Sequence, residues 1–259
     1  MSEHWKKYKS LAEMIRAQAE KSPNRLALVA RSAAGQEQRL SYAQMVWQGE
    51  KFAQGLKQIG ASERDHIGIA LDNKSAYEAI VTLLACAFGG MVCVPINARF
   101  AEEEFLHALT LADIRFVVCD GLTGPRIEVV RKKAPMLEKI LLAGGAPGEG
   151  TVLWNDVYEQ AQRTEAIWPQ RHHEDISEIL FTSGTTSRPK AAQMSHRSAL
   201  ASAYGFADAM SLRQGDVYQS FFPFFTTACL RCVLYPSWFV GATAVVDPEL
   251  NVADILGRM

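Results

Sequence analysis

IGIALDNKSAYEAIVTLLACAFGGMVCV, Ile67 to Val94, is the stretch that decides the fold. Ile67 to Leu71 is a short apolar run of strand length. Ser75 to Phe88 carries the apolar spacing of a helix, and Met91 to Val94 reads as a second strand. Gly89 and Gly90 punctuate the turn between them. A helix of ten or more residues between two short apolar strands is the pattern of a βαβ unit with parallel strands. Outward from there the alternation continues. Ser41 stands as an N-cap before an apolar-periodic helix, Tyr42 to Ile59, closed by Gly60. Downstream, Glu102 to Thr110 reads as a helix and Phe116 to Cys119 (FVVC) as a buried strand. Pro125 to Ala134 reads as a helix and Lys139 to Leu142 as extended. The expected class is therefore α/β, with mostly parallel sheets flanked by helices.

The 259 residues are 48% hydrophobic and 21% charged, which supplies a sizeable core and suits one large domain or two smaller ones. The formal net charge of -1 argues against a nucleic-acid partner, whose backbone calls for a basic excess. Two long stretches are nearly free of charge: Ala79 to Asn97, and Val217 to Val246, which holds only Arg231. Gly89, Gly90 and Pro95 interrupt the first, and Pro223, Pro236 and Gly241 the second. Both read as enclosed layers of the fold, with no membrane span. Met1 to Ser10 lacks the apolar core of a secretory signal. The five cysteines, Cys86, Cys93, Cys119, Cys229 and Cys232, lie mostly in apolar runs, which predicts buried free thiols and a cytoplasmic, reducing setting. The polar stretch 163–176 reads as a linker between a first α/β subdomain, 1–162, and a second, 177–259. His172 and His173 in it have no further ligand cluster nearby and read as solvated linker residues. Cys229 and Cys232 have metal-like spacing without a second pair and read as helical thiols.

Chemistry concentrates after the linker, in Glu178-Ile-Leu-Phe-Thr-Ser-Gly-Thr-Thr-Ser-Arg-Pro-Lys190. A short apolar strand ending at Thr182 runs into small, hydroxylated residues and then a cation. Gly184 lets the backbone approach an anion closely, and N–H groups can converge on it. The hydroxyls of Thr182, Ser183, Thr185 and Thr186 can donate to phosphate oxygens, and Thr185 and Thr186 are candidates for a Mg²⁺ contact. Lys190 supplies positive charge, and Pro189 stiffens the exit. The ordinary P-loop pattern fails, because no glycine immediately precedes Lys190 and Ala191 stands where a Ser or Thr is required. The other glycine-rich stretch, Gly144 to Gly150 (GGAPGEG), precedes no helix start and reads as a surface turn.

The run FTSGTTSRPK closely resembles the signature loop of the adenylate-forming superfamily, which includes acyl-CoA synthetases, peptide-synthetase adenylation domains and luciferases. LSYAQM at Leu40 to Met45, GIALDN at Gly68 to Asn73, ACAFGGMVCVPINARF at Ala85 to Phe100 and FVVCD at Phe116 to Asp120 are similar to the succession of segments in that family. Val94-Pro-Ile-Asn-Ala-Arg99 and the Ser187 variant of the loop are similar to the carnitine and crotonobetaine CoA ligases. The resemblance implies the N-terminal part of the adenylate-forming fold. It also implies an ATP-dependent acid–CoA ligase that activates a small carboxylic acid as its acyl-adenylate, releases pyrophosphate and passes the acyl group to CoA. ATP, Mg²⁺ and CoA are the implied cofactor and co-substrates. The implied phosphate-binding residues are Thr182, Ser183, Gly184, Thr185, Thr186 and Lys190.

Departures from the family pattern accompany the match. Ala191 and Ser187 replace two usual loop glycines and are expected to crowd or stiffen the loop. In the acid-pocket landmark Pro223-Phe-Phe-Thr226, Thr226 stands at the usual histidine position, so no catalytic residue is assigned. Up to Met259 the sequence shows no adenine-contacting Thr-Glu segment, no ribose-binding aspartate and no domain with the family's catalytic lysine. These 259 residues alone are therefore expected to lack ligase activity. Val217 to Val246, expected in the interior, is expected to leave an apolar patch and a sheet edge uncovered. Two other readings stay open: a carrier-protein loading enzyme, and a truncated non-catalytic remnant acting through a partner.

Overall fold

The computed structural model describes residues 4–148, 150–162, 168–182, 189–252 and 257. Among them the chain runs α1 (Leu11–Lys21), β1 (Leu26–Arg31), β2 (Glu37–Ser41), α2 (Tyr42–Gln58), β3 (His66–Ala70), α3 (Ala76–Gly89), β4 (Val92–Pro95), α4 (Glu102–Leu111) and β5 (Ile114–Cys119). It continues with α5 (Gly124–Val130), β6 (Lys139–Leu142), β7 (Thr151–Leu153), α6 (Trp154–Gln160), β8 (Ile176–Thr182), β9 (Lys190–Ser195), α7 (His196–Ala209) and β10 (Val217–Ser220). A π-helical turn, Ala228–Leu234, then leads into α8 (Tyr235–Val240) and β11 (Thr243–Val246).

The strands form two sheets. The larger has the order β7-β6-β5-β3-β4-β8-β9 and is parallel except for the antiparallel hairpin of β8 with β9. The smaller has the order β10-β11-β1-β2, where only β2 runs antiparallel to its neighbour. The expected α/β architecture, with mostly parallel sheets flanked by helices, is thus present. The expected split into 1–162 and 177–259 does not follow the sheets, however. Strand β1 pairs with β11, and Cys93 of β4 is the register partner of Glu178 in β8, so each sheet draws strands from both sides of 163–176. A buried edge strand takes the partner that satisfies its main-chain groups, however distant that partner is in sequence.

Helix α3 explains the first uncharged stretch. It packs against β1 of the smaller sheet and against β3 and β4 of the larger, and nearly all its residues are buried. A helix enclosed on all sides is apolar all round. Its partner α2 starts as expected, with a capping box: Ser41 Oγ accepts the Gln44 N–H, and Gln44 Oε1 accepts the Ser41 N–H at 2.8 Å. The two helices touch closely at Gly49, where a Cβ would fall 2.6 Å from the Leu84 Cβ. Helix α3 ends on Gly90 at φ +76°, a left-handed cap that glycine adopts without strain.

Two cores follow from the alternation of strand side chains. Ile67, Ile69, Phe116 and Val118 face the core between the sheets. Val92, Val94, Val117 and Ile140 face a second core under α4 and α5. Trp154 and Trp238 are buried in the first, and Trp168 packs against it. The stretch expected as a solvated linker is more integrated than that in its described part. Arg171 is buried and donates to the Gly90 carbonyl, and His173 Nε2 donates to the Tyr8 carbonyl at 2.8 Å. Nor is Val217 to Val246 wholly interior: Tyr235 and Trp238 are enclosed, while Val217, Phe221 and Phe222 are exposed.

Candidate functional site

Seven strands ordered 7-6-5-3-4-8-9 place a topological switch between β3 and β5, because the connection leaving β3 runs toward β4 and the one leaving β5 runs toward β6. In open α/β sheets the crevice at the carboxyl ends beside such a switch is the usual ligand site. A cleft of about 900 Å³ lies there. Its walls come from the segments after β3 (Asp72–Lys74), after β4 (Ala98 and Arg99), after β5 (Asp120, Leu122, Thr123 and Arg126), after β10 (Phe221, Phe222, Pro223 and Phe225) and after β11 (Pro248–Leu250). Every contributing strand thus presents its carboxyl end, and both sheets take part.

Local hydrogen bonding shapes these walls. Asp120 Oδ1 accepts the N–H groups of Leu122 and Thr123, and Thr123 Oγ donates to the Ala70 carbonyl at 2.8 Å, which ties the end of β5 to that of β3. Arg126 donates to the carbonyls of Phe100 and Ala98 at 2.6 and 2.9 Å, bracing the segment after β4. Lys74 and Glu249 face each other at 3.9 Å with both side chains largely exposed, a contact of little energetic weight.

Strand β8, which leads into the FTSGTTSRPK run, is parallel to β4 and so has its carboxyl end on the same side of the sheet. Thr182 and Lys190 are opposite each other at the open end of the β8–β9 hairpin, and both are exposed. Ser183, Gly184, Thr185, Thr186 and Ser187 lie outside the described residues. Two contacts fix the base of the hairpin beside the cleft. His107 Nε2 of α4 donates to the Pro189 carbonyl at 2.9 Å, and Phe181 meets Phe100 edge to face with ring centroids 6.5 Å apart. The effect expected of Ala191 on the loop falls on residues outside those described, but Ala191 itself is placed. It pairs with Phe181 in the ladder, and its methyl packs on the second core.

Thr226 is half-buried and turned to its own chain. Its hydroxyl donates to the Pro223 carbonyl at 2.7 Å and accepts the Cys229 N–H at 3.3 Å, opening the π-helical turn. Of the neighbouring phenylalanines, Phe225 lines the cleft while Phe224 is fully buried. Ser195 is the N-cap of α7, accepting the Ser198 N–H. Its neighbour His196 is buried and accepts the Leu11 N–H at Nδ1, and burial pushes its imidazole down to about 4. Among the described residues no cluster of three His, Cys, Asp or Glu side chains could hold a metal ion. No described helix is long and apolar enough to cross a membrane. Sequence reasoning missed Asn73, His107 and Arg126. Only GIALDN, which ends on Asn73, drew attention to any of them, and it gave no hint of what the side chain does.

The crotonobetaine/carnitine–CoA ligase of Salmonella paratyphi A (strain ATCC 9150 / SARB42) is 28% identical over 257 residues, covering 96% of this chain and 48% of the relative. The enzyme of that name from Proteus sp. (strain LE138) is 30% identical over 240 residues, covering 88% and 44%. The chain thus spans about half the length of the curated relatives it matches. The solved structure of the anthranilate CoA ligase AuaEII in complex with anthranoyl-AMP superposes with a TM-score of 0.85 at 25% identity, over 96% of this chain and 47% of that one. The N-terminal domain of FACL13 from Mycobacterium tuberculosis gives a TM-score of 0.84 at 23% identity, covering 96% and 60%, and shows the shared fold. The family model described as AMP-binding enzyme matches residues 15–258, and the chain belongs to that family.

Proposed function

We propose that this chain carries the polyphosphate grip and the acid-binding cleft of an ATP-dependent acid–CoA ligase. The observation that supports this most is the position of the FTSGTTSRPK hairpin. Its base, held by His107 and Phe100, stands beside a cleft built from the carboxyl ends of five strands. The hydroxyls of Thr182, Ser183, Thr185 and Thr186, with the N–H groups around Gly184, would hold the β- and γ-phosphates of ATP. Lys190 would balance charge as pyrophosphate departs. Donors already aimed at developing charge lower a barrier without reorganising in the reaction. The donor set of hydroxyls, exposed at Thr182 beside Lys190, suits a magnesium-bound polyphosphate, and Mg²⁺ would supply further neutralisation there.

The acid would lie in the cleft, its apolar part against Phe222 and Phe225, with its carboxylate toward the α-phosphorus. Attack forms the acyl–phosphate bond and breaks the bond to pyrophosphate. The thiol of CoA then takes the acyl group and AMP leaves. The non-catalytic reading has one observation in its favour: Thr226 spends its hydroxyl on its own turn and offers no imidazole to the cleft.

Titration of the chain with Mg·ATP, compared with Lys190→Ala, tests the proposal. A cation hydrogen-bonded to phosphate contributes about 1.5–3 kcal/mol, so the variant should bind roughly 10- to 100-fold more weakly while unfolding at the same midpoint. Equal affinities for the two proteins would refute the assigned grip. ATP–pyrophosphate exchange with a panel of acids then separates the ligase from the non-catalytic reading.

A further inference from the structure

Asn73, just beyond β3, is buried, and its side chain reaches across to the other sheet. Nδ2 donates to the Phe222 carbonyl at 3.0 Å and to the Asp247 carbonyl at 2.9 Å, and Oδ1 accepts the Phe224 N–H at 2.8 Å. All three partners are main-chain groups on the segments that follow β10 and β11. Among the described residues no ladder joins the two sheets, so this amide spans a junction that strand pairing leaves open. It spans it at the cleft, between the wall that follows β3 and the wall formed by Phe221, Phe222, Pro223, Phe225 and Pro248–Leu250.

The chemistry required at this position is narrow. Two donors and one acceptor must converge from one short, planar group, which describes the asparagine amide. Aspartate offers no donor when ionised, and an apolar residue leaves two carbonyls and an N–H without partners in a buried place. We propose that Asn73 is a positioning residue. It sets the separation of the two cleft walls and holds the Phe222–Phe225 wall in the orientation that receives the acid. The proposal rests on the cleft being the acid site of the ligase reading, and it specifies which contact fixes the shape of that site.

The test uses the 259-residue chain, with Cys232→Ser and cysteines introduced at Leu122 and Leu250, which are exposed on opposite walls. Spin labels at these two positions report the width of the cleft, and amide exchange reports the Phe224 N–H. Asn73→Ala, folded by circular dichroism, should broaden the distance distribution. It should also speed Phe224 exchange roughly tenfold relative to β3 amides such as Ile69. Asn73→Asp adds a readout that mere space-filling would not move. Its carboxyl, when protonated, can donate once and accept once, and when ionised it cannot donate. Charged groups around it are Asp72 and Lys74 on its own segment, Arg99 after β4, Asp120 and Arg126 after β5, and Asp247 and Glu249 after β11. The distribution should therefore narrow toward the parent protein's as pH falls, judged against the parent at each pH. An unchanged distribution in Asn73→Ala, wild-type behaviour of Asn73→Asp at every pH, or equal acceleration of Phe224 and Ile69 would each overturn the proposal. Neither readout needs a ligand, so failure of Mg·ATP to bind would sink the ligase reading and the acid assigned to the cleft, while the role of Asn73 in setting the wall separation is judged separately by these two readouts.

Discussion

Arg231, on the π-helical turn, points Nε at Oε1 of Glu178, 2.7 Å away in the strand that leads into the FTSGTTSRPK run. Nη2 lies 2.6 Å from the same oxygen as an ion contact without hydrogen-bond alignment, so the directional bond is carried by Nε. Tyr235 donates its hydroxyl to Oε2 at 2.7 Å, and Arg231 also donates to Ser198 of α7. Both charged side chains are almost wholly buried. The network binds the strand before the loop to the segment that follows the cleft's phenylalanine wall.

Removing one partner of a buried pair strands the other charge, at a cost of about 3–5 kcal/mol. Arg231→Met should lower the urea midpoint accordingly. The triple change Glu178→Leu, Arg231→Met, Tyr235→Phe should recover most of the loss, since no charge or hydroxyl then lacks its partner. A triple variant no more stable than Arg231→Met would contradict this account.

Two buried groups give the stability opposing pH dependences. Burial holds His196 at about 4, below its ordinary 6.5, so its contribution is complete above pH 6.5 and is lost as pH falls toward 4. Burial raises Glu78, whose carboxylate accepts the Ala33 N–H, from 4.5 to about 7. Its contribution is complete below pH 4.5 and is lost as pH rises through 7. Each is worth about 3 kcal/mol, so the two nearly cancel between pH 4.5 and 6.5. In denaturant unfolding, His196→Gln should lose stability steadily as pH rises through that window, and Glu78→Gln should gain it. Parallel curves for the two variants would show that the groups do not titrate as assigned.

Thr226 acts as a cap for the turn after the cleft. Thr226→Val keeps the shape and removes the hydroxyl, and should cost about 1 kcal/mol, while Thr226→Ser should cost less. Equal losses in thermal unfolding would assign the cost to packing.

Thiol accessibility gives a fourth check. Cys86, Cys93, Cys119 and Cys229 are buried, and burial pushes the thiols of Cys119 and Cys229 up to about 12. Cys232 is half-exposed, with its thiol also raised by burial. A maleimide at neutral pH should modify Cys232 alone, and slowly, because the thiolate is the reacting form. Mass spectrometry showing labelling of Cys86 or Cys119 in the folded protein would contradict the packing.

Much of the larger sheet was legible because its signals are local. Ser41 and Gly60 bracket α2, and Gly89 and Gly90 end α3, within a residue or two of the predicted limits. The smaller sheet was not legible. The partner of Leu28 in β1 is Ala244, more than two hundred residues away, and periodicity carries no information about pairing at that separation. The same holds for the site: the proposed phosphate grip is read from the consecutive residues FTSGTTSRPK, whereas His107 and Arg126 bond main-chain carbonyls that no side-chain pattern reveals.

By itself, the sequence determined the alternation of strands and helices, the enclosed character of α3 and the run of small hydroxylated residues ending in Lys190 on which the proposed phosphate grip rests. These depend on residue order over short spans, through side-chain periodicity, capping and φ freedom. Only the tertiary structure decided that 1–162 and 177–259 share their sheets, that the Thr226 hydroxyl serves its own turn, and that Asn73 joins the cleft walls. Those outcomes rest on main-chain hydrogen bonds and buried charges between distant segments, and such groups acquire partners only when the whole chain closes on itself.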